Sequence, residues 1–268
     1  MQQPLKGRRV LVVGASSGIG RAAAVAVAAL GGEVAAVGRR RSLLDELVAA
    51  MGGGVAIEAD LRDPEQCKVL VDEAARALGP IDAMVFAAST SSLAMTGDAD
   101  AEVWRNVLET NVMAPALVTG HLLPHLTDGA FLGYLSSEIV GQPYHGLAHY
   151  ACSKAALEEL IRALRVEHPA HRFCCIRVGA TEGTDFGRDF SADLGTKLFP
   201  LWIQRAKLPA TFMVADEVGA AIAQAMAIAV AFPRVDVQDL TLRPPGGPLV
   251  GDIAELAGKV VEQTGLTD

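Results

Sequence analysis

The sequence predicts an α/β protein built on a doubly wound parallel sheet of about seven strands, with helices on both faces. Three observations predict it. Short apolar runs rich in Val and Ala alternate with longer helical patterns, as in a parallel sheet covered on both sides. A glycine-rich turn from Gly14 to Gly20 joins the first of these runs to an alanine-rich helix. The 268 residues are 51% hydrophobic and 20% charged, a globular composition long enough to bury one sizeable core.

In chain order, Arg9 to Val13 is the first strand and Gly18 to Leu30 the first helix. Glu33 to Val37 is the second strand, a helix runs from about Ser42 to Met51, and Val55 to Glu58 is the third strand. Pro64 to Leu78 is helical and Ala83 to Ala87 is the fourth strand. A long helix then spans Asp100 through Leu122, bent at Pro115, before a fifth strand from Ala130 to Ser136. Tyr150 to Glu167 is a helix ended by Pro169, and Arg172 to Val178 is the sixth strand.

From Thr181 to Thr211 the periodicity fails, and such a stretch inside a compact α/β domain predicts a substrate lid, around residues 181–212. A helix from Ala215 to Ala229 and a strand near Val237 to Leu242 complete the sheet, and Pro244 to Gly247 turns into a short terminal helix. No repeat or linker divides the chain, so a single domain is expected over residues 1–268.

A net charge of −8 repels polyanions, which argues against nucleic acid or an anionic membrane as partner. The longest apolar stretch, Ala220 to Phe232, is shorter than the ~20 residues that span a bilayer and reads as a buried helix. Met1 to Arg9 lacks the apolar segment of a secretory signal, so a cytoplasmic location is expected. Cys67, Cys152, Cys174 and Cys175 lack zinc-site spacing and read as free thiols; no metal site is expected.

The loop Gly14, Ala15, Ser16, Ser17, Gly18, Ile19, Gly20 runs into a helix N-terminus, where free N–H groups and the helix dipole favour a pyrophosphate. Its place after the first strand makes the fold Rossmann-like and the ligand a dinucleotide. Many such sites carry an acid at the end of the second strand to bind the adenosine 2′-hydroxyl. Here Gly38 stands there, followed by Arg39 and Arg40, whose guanidinium groups suit a 2′-phosphate. NADP(H) is therefore expected over NAD(H). Asp60, after the third strand, is placed for the adenine edge.

Tyr150 and Lys154 lie four residues apart on one helix, about one turn, so their side chains share a face. A phenol titrates near ~10, and a neighbouring ammonium lowers that value by favouring the phenolate. Lys154 thus reads as the charge that tunes Tyr150. Ser137, at the C-terminal end of the fifth strand, lies where such sheets form their ligand crevice and is placed to hold a substrate oxygen. Asn111 is placed to fix a water that passes protons to Lys154.

These residues, in this order and spacing, resemble the short-chain dehydrogenase/reductase family over nearly the whole chain. The resemblance rests on the glycine loop, Asp60-Leu61, Asn111-Val112, Ser136-Ser137 and Tyr150-Ala151-Cys152-Ser153-Lys154. It implies an Asn111, Ser137, Tyr150 and Lys154 tetrad and hydride transfer between a nicotinamide and a carbonyl or secondary alcohol. In that mechanism Tyr150 is the acid or base and Lys154 also holds the nicotinamide ribose. Ser136 is adjacent to Ser137, but thirteen residues from Ser137 to Tyr150 fit the family better.

Two departures stand out. Phe86-Ala87-Ala88-Ser89 replaces the family's Asn-Asn-Ala-Gly, and Val178-Gly179 replaces Pro-Gly. The first removes amides that stabilise the central sheet and places a bulky Phe86 near the cofactor. Ala87 and Ala88 retain the adenosine-side backbone contact, and Gly179 with Thr184 remain on the nicotinamide and phosphate side.

An apolar or aromatic substrate is expected from Tyr144, Phe186, Phe190, Phe199, Trp202 and Phe212. The resemblance further implies a homodimer or homotetramer built on the long helix before Leu122 and the helix after Tyr150. The competing reading is a dinucleotide-binding sensor or interaction protein that kept the fold and lost turnover, motivated by the departure at residues 86–89. An epimerase or dehydratase using the same Tyr and Lys is disfavoured by the lack of a longer substrate domain.

Overall fold

The computed structural model describes residues 3–249 and Gly251. Seven parallel strands form the main sheet: β1 (Arg9–Val13), β2 (Glu33–Gly38), β3 (Val55–Glu58), β4 (Ile81–Phe86), β5 (Leu126–Ser137), β6 (Arg172–Val178) and β9 (Asp239–Leu242), in the order β3-β2-β1-β4-β5-β6-β9. Two short strands, β7 (Thr181–Glu182) and β8 (Met213–Val214), pair in parallel apart from it. The doubly wound parallel sheet is as the sequence predicts.

Successive residues of a strand face opposite sides, and β1 shows how each side is filled. Leu11 and Val13 pack against Cys67, Leu70 and Val71 of α3 (Pro64–Leu78), in a layer completed by α5 (Ala114–Leu122) and α6 (Ala148–Glu167). Val10 and Val12 lie on the other face with Ala23, Ala24 and Val27 of α1 (Gly18–Ala29). That layer also holds Leu44 and Leu47 of α2 (Arg41–Met51) and Val218, Ile222 and Met226 of α8 (Ala215–Ala231). The α1 and α8 backbones nearly touch: a Cβ on Gly219 would lie 2.5 Å from the Ala22 carbonyl carbon.

The long helix differs from expectation in its interior. It comprises α4 (Ala101–Leu108), a π-helical turn (Glu109–Met113) and α5, in which Pro115 has no N–H to return to the carbonyl of Asn111. The expected bend at Pro115 therefore takes the form of a widened turn just before it. The unpatterned stretch also carries a helix, α7 (Ala192–Gln204), capped by Ser191 and containing Pro200. Leu198, Phe199, Trp202 and Ile203 form its buried side, packed with Leu93, Leu147, Tyr150 and Phe190 in a separate apolar cluster. The expected terminal helix falls outside the described residues. Among the described residues no helix is long and apolar enough to cross a membrane.

Candidate active site

The order of strands reverses between β1 and β4, and the crevice outside their C-terminal ends is where sheets of this kind bind ligands. Here the Val13 carbonyl accepts from both Ala87 N (2.8 Å) and Ala88 N (3.0 Å). Gly14 follows with φ +89°, and a Cβ on it would lie 2.4 Å from Ala88 N. Only glycine permits this approach, which clears the floor of a cavity of ≈ 580 Å³.

The cavity brings together almost every residue the sequence singles out. Gly14, Ser16, Ser17, Gly18, Ile19 and Gly20 form one wall, with Arg39, Arg40, Asp60 and Leu61 at its far end. Ala87, Ala88, Gly179 and Thr184 line the middle, and Ser137, Tyr150 and Lys154 the near end. The cradle fits an elongated anionic dinucleotide: a glycine-lined helix N-terminus at its centre, guanidinium groups at one end, and a phenol and an amine at the other.

Asn111 alone lies outside this lining. It is 1% exposed, and its side chain makes four hydrogen bonds. Its Oδ1 accepts from Thr90 N (2.9 Å) and Ser89 Oγ (3.2 Å), while Nδ2 donates to Thr90 O (2.9 Å) and Ser153 Oγ (3.0 Å). Two donors and two lone pairs are all the amide has, so the side chain is fully committed to tying the segment after β4 to α6, and the expected water is left to the Asn111 main chain.

Tyr150 is 6% exposed, and burial pushes its phenol up to about 12, against hydrogen bonding from the Ser137 and Ser89 side chains. The expected tuning by Lys154 takes a different geometry. Lys154 Nζ donates to the Leu135 carbonyl (2.8 Å) and lies 5.7 Å from the centroid of the Tyr150 ring. Burial also pulls the ammonium down to about 7, so charge on this lysine is costly where it stands. Ser136 is committed to Glu158 Oε1 (2.7 Å), which is itself gripped by Arg177, leaving Ser137 as the serine beside the phenol.

Two expectations at the cofactor end change. Both Asp60 carboxylate oxygens are bound by Arg62, at 3.1 Å to Nε and 2.6 Å to Nη2, which holds the acid below the usual carboxylate range. Contact with an adenine edge therefore competes with this pair. Phe86 does not reach the cavity: it is buried on the α3 side of the sheet, stacked on Tyr134 with centroids 6.4 Å apart.

Sequence reading missed Ser89, whose hydroxyl links Asn111 to the surroundings of Tyr150; its one signal was a side chain standing where the family has glycine. It also missed the contacts of the lid with the rest of the cavity, since these join residues far apart in the chain. Phe186 stands edge-on to the Tyr150 ring at 5.3 Å, and Trp202 Nε1 donates to the His145 carbonyl (3.0 Å). Among the described residues no group of His, Cys, Asp or Glu is placed to hold a metal ion.

The fold and this cavity define a class of doubly wound α/β domains with a dinucleotide-shaped cradle where the strand order reverses. A family model described as short chain dehydrogenase matches residues 8–195, and the chain belongs to that family. A short chain dehydrogenase of Pseudocercospora fijiensis is 35% identical over 175 residues, 62% of this chain and 56% of that protein. Human L-xylulose reductase is 31% identical over 188 residues, 69% of this chain and 74% of the reductase. The chain spans about half the length of several curated relatives it matches, among them an Arabidopsis thaliana 11-beta-hydroxysteroid dehydrogenase-like protein at 54%. In structure it is similar to a short chain dehydrogenase from Burkholderia cenocepacia in complex with NADP, with TM-score 0.73, 27% identity, and coverage of 89% of this chain and 97% of the other.

Proposed function

We propose that the protein is an NADP(H)-preferring oxidoreductase acting on the carbonyl or secondary alcohol of a small, largely apolar substrate. The observation that carries this reading is the single cavity joining the glycine loop and Arg39–Arg40 to Ser137, Tyr150 and Lys154. NADP(H), when bound, supplies or takes up the hydride.

This chain's residues do the rest. The Tyr150 phenol donates its proton to the substrate oxygen in reduction, the phenolate accepts that proton in oxidation, and the Ser137 hydroxyl holds the oxygen beside it. Lys154, cationic in the working state, lowers the cost of the phenolate and binds the nicotinamide ribose. Asn111 acts as a positioning residue through Ser89, Thr90 and Ser153. Phe186, Phe190, Leu208 and Trp202 supply apolar walls, and residues 181–212 act as the lid that excludes water.

A cytoplasmic homodimer or homotetramer is part of the same reading. Exposed Met113 and Val166, beside and on the two helices expected to associate, support it.

The test is loss of nicotinamide absorbance when the protein meets NADPH or NADH with a panel of ketones, aldehydes and quinones. Turnover preferring NADPH supports the reading, and equal or better use of NADH contradicts the arginine argument. Tight binding of NADPH with no turnover on any substrate favours a sensor.

A further inference from the structure

Arg40 is already engaged with an anion from its own chain. Its Nη2 donates to Ser17 Oγ (2.6 Å) and Asp185 Oδ2 (2.8 Å), while Ser16 Oγ accepts from Nε (3.3 Å) and lies 3.0 Å from Nη2. That same carboxylate oxygen accepts from Ser17 Oγ (2.8 Å) and Arg188 Nη1 (3.0 Å). Ser16 and Ser17 belong to the glycine loop, whereas Asp185 lies in the lid segment after β7, and all of them line the cavity. Arg39, the residue before it, is exposed and makes no ion pair among the described residues.

The adjacent residue binds at the other end of the cavity. Phe186 packs edge-on against Tyr150, and its carbonyl accepts from Ser91 Oγ (2.9 Å). Asp185 and Phe186 together form a strap from the arginine end of the site to the phenol, with the carboxylate seated on donors suited to a phosphate.

We propose that Asp185 is a specificity-determining residue for the cofactor: its carboxylate competes with the 2′-phosphate of NADP(H) for Arg40 and so moderates the preference for the phosphorylated dinucleotide. This rests on the NADP(H) reading above. A dinucleotide without the 2′-phosphate leaves Arg40 free to keep Asp185. One that carries it must draw the guanidinium away or share it with the carboxylate, while the Asp185 charge repels the incoming phosphate. The phosphate bears more charge and more acceptor oxygens than the carboxylate, so it wins, at reduced affinity. Arg40 and Asp185 side chains are 38% and 40% exposed, so solvent screening keeps the penalty modest.

The experiment is direct binding of NADPH and of NADH, followed by nicotinamide fluorescence, to the wild type, Asp185→Asn, Arg40→Ala and the double variant. Asparagine keeps the shape and removes the charge at a half-exposed position. Asp185→Asn is expected to tighten NADPH roughly two- to fivefold and to leave NADH nearly unchanged, the scale of an exposed charge pair. In the Arg40→Ala background the same substitution should no longer favour NADPH over NADH. If Asp185→Asn shifts the two dinucleotides equally, or weakens NADPH, while Arg40→Ala still lowers the NADPH preference, Asp185 plays no part in specificity and the cofactor reading stands. If Arg40→Ala leaves the NADPH to NADH ratio unchanged, the assignment of Arg40 to the 2′-phosphate fails, and the competition proposed here fails with it.

Discussion

Lys154 Nζ lies 5.7 Å from the centre of the Tyr150 ring, with its hydrogen bond directed to Leu135 O at 2.8 Å. A buried ammonium held down to about 7 penalises folding wherever the unfolded chain is protonated. The folded value lies below the ordinary one of 10.5, so the unfolded state binds more protons between about 7 and 10.5, and stability rises with pH across that window. Lys154→Met is therefore expected to abolish turnover yet melt several degrees above the wild type near pH 7. The gap should narrow as pH approaches 10, as thermal melts at a series of pH values will show. A gap that does not change with pH contradicts the burial argument.

Asn111, itself buried, leaves four hydrogen-bonding groups behind if it is truncated, of which the Ser153 hydroxyl is buried and the Thr90 backbone half-buried. Asn111→Ala strips Thr90 N and O, Ser89 and Ser153 of a hydrogen-bond partner and should cost about 2–4 kcal/mol of stability, readable as a shift in denaturant midpoint. A loss under about 0.5 kcal/mol, the scale of an ordinary surface substitution, would show that the staple is not structural.

Ser89 acts against the burial that raises the Tyr150 phenol toward 12. Removing its hydroxyl in Ser89→Ala should move the phenol higher. In the alcohol-oxidising direction, where the phenolate is the base, the rising limb of the kcat/KM pH profile should shift to higher pH. Rates near neutrality are then expected to fall by about threefold to tenfold, the scale of one hydrogen bond. An unchanged pH profile assigns Ser89 to loop structure alone.

The α1–α8 crossing depends on the absent side chain of Gly219, because a Cβ there meets Ala22 main-chain atoms at 2.5 Å. Backbone cannot yield as a flexible side chain does, so Gly219→Val should cost about 1–3 kcal/mol by overpacking. The melting temperature measures it, and wild-type stability would mean that the helices separate freely.

The sheet was legible because its strands are buried on both faces and their apolar runs are bounded by turns. The gathering of the glycine loop, Ser137, Tyr150 and Lys154 around one cavity was legible because each sits at a strand end or on one helix face, where spacing in sequence translates into spacing in space. The helix from Ala192 to Gln204 was not, since Gly195 and Pro200 interrupt a pattern whose buried positions emerge only once Leu198, Phe199, Trp202 and Ile203 meet Tyr150 and Leu147. Nor was the commitment of the Asn111 amide, or the engagement of Arg40 by Asp185, 145 residues away in the chain. Both depend on partners that no local pattern names. Phe86 was misplaced for a related reason: the sequence shows a bulky residue at a loop boundary, whereas the pleat turns it into the core against Tyr134.

The most direct test of the central claim is Tyr150→Phe, compared with the wild type for NADPH-dependent reduction of a substrate found active in the carbonyl panel and, separately, for NADPH binding. The phenyl ring keeps its packing against Phe186 and loses only the proton that the proposed reaction transfers. Turnover should fall by about a hundredfold or more while NADPH binds within about threefold of wild type. Retained turnover with the phenylalanine in place would contradict the assignment of proton transfer to Tyr150, and with it the chemistry proposed for this cavity.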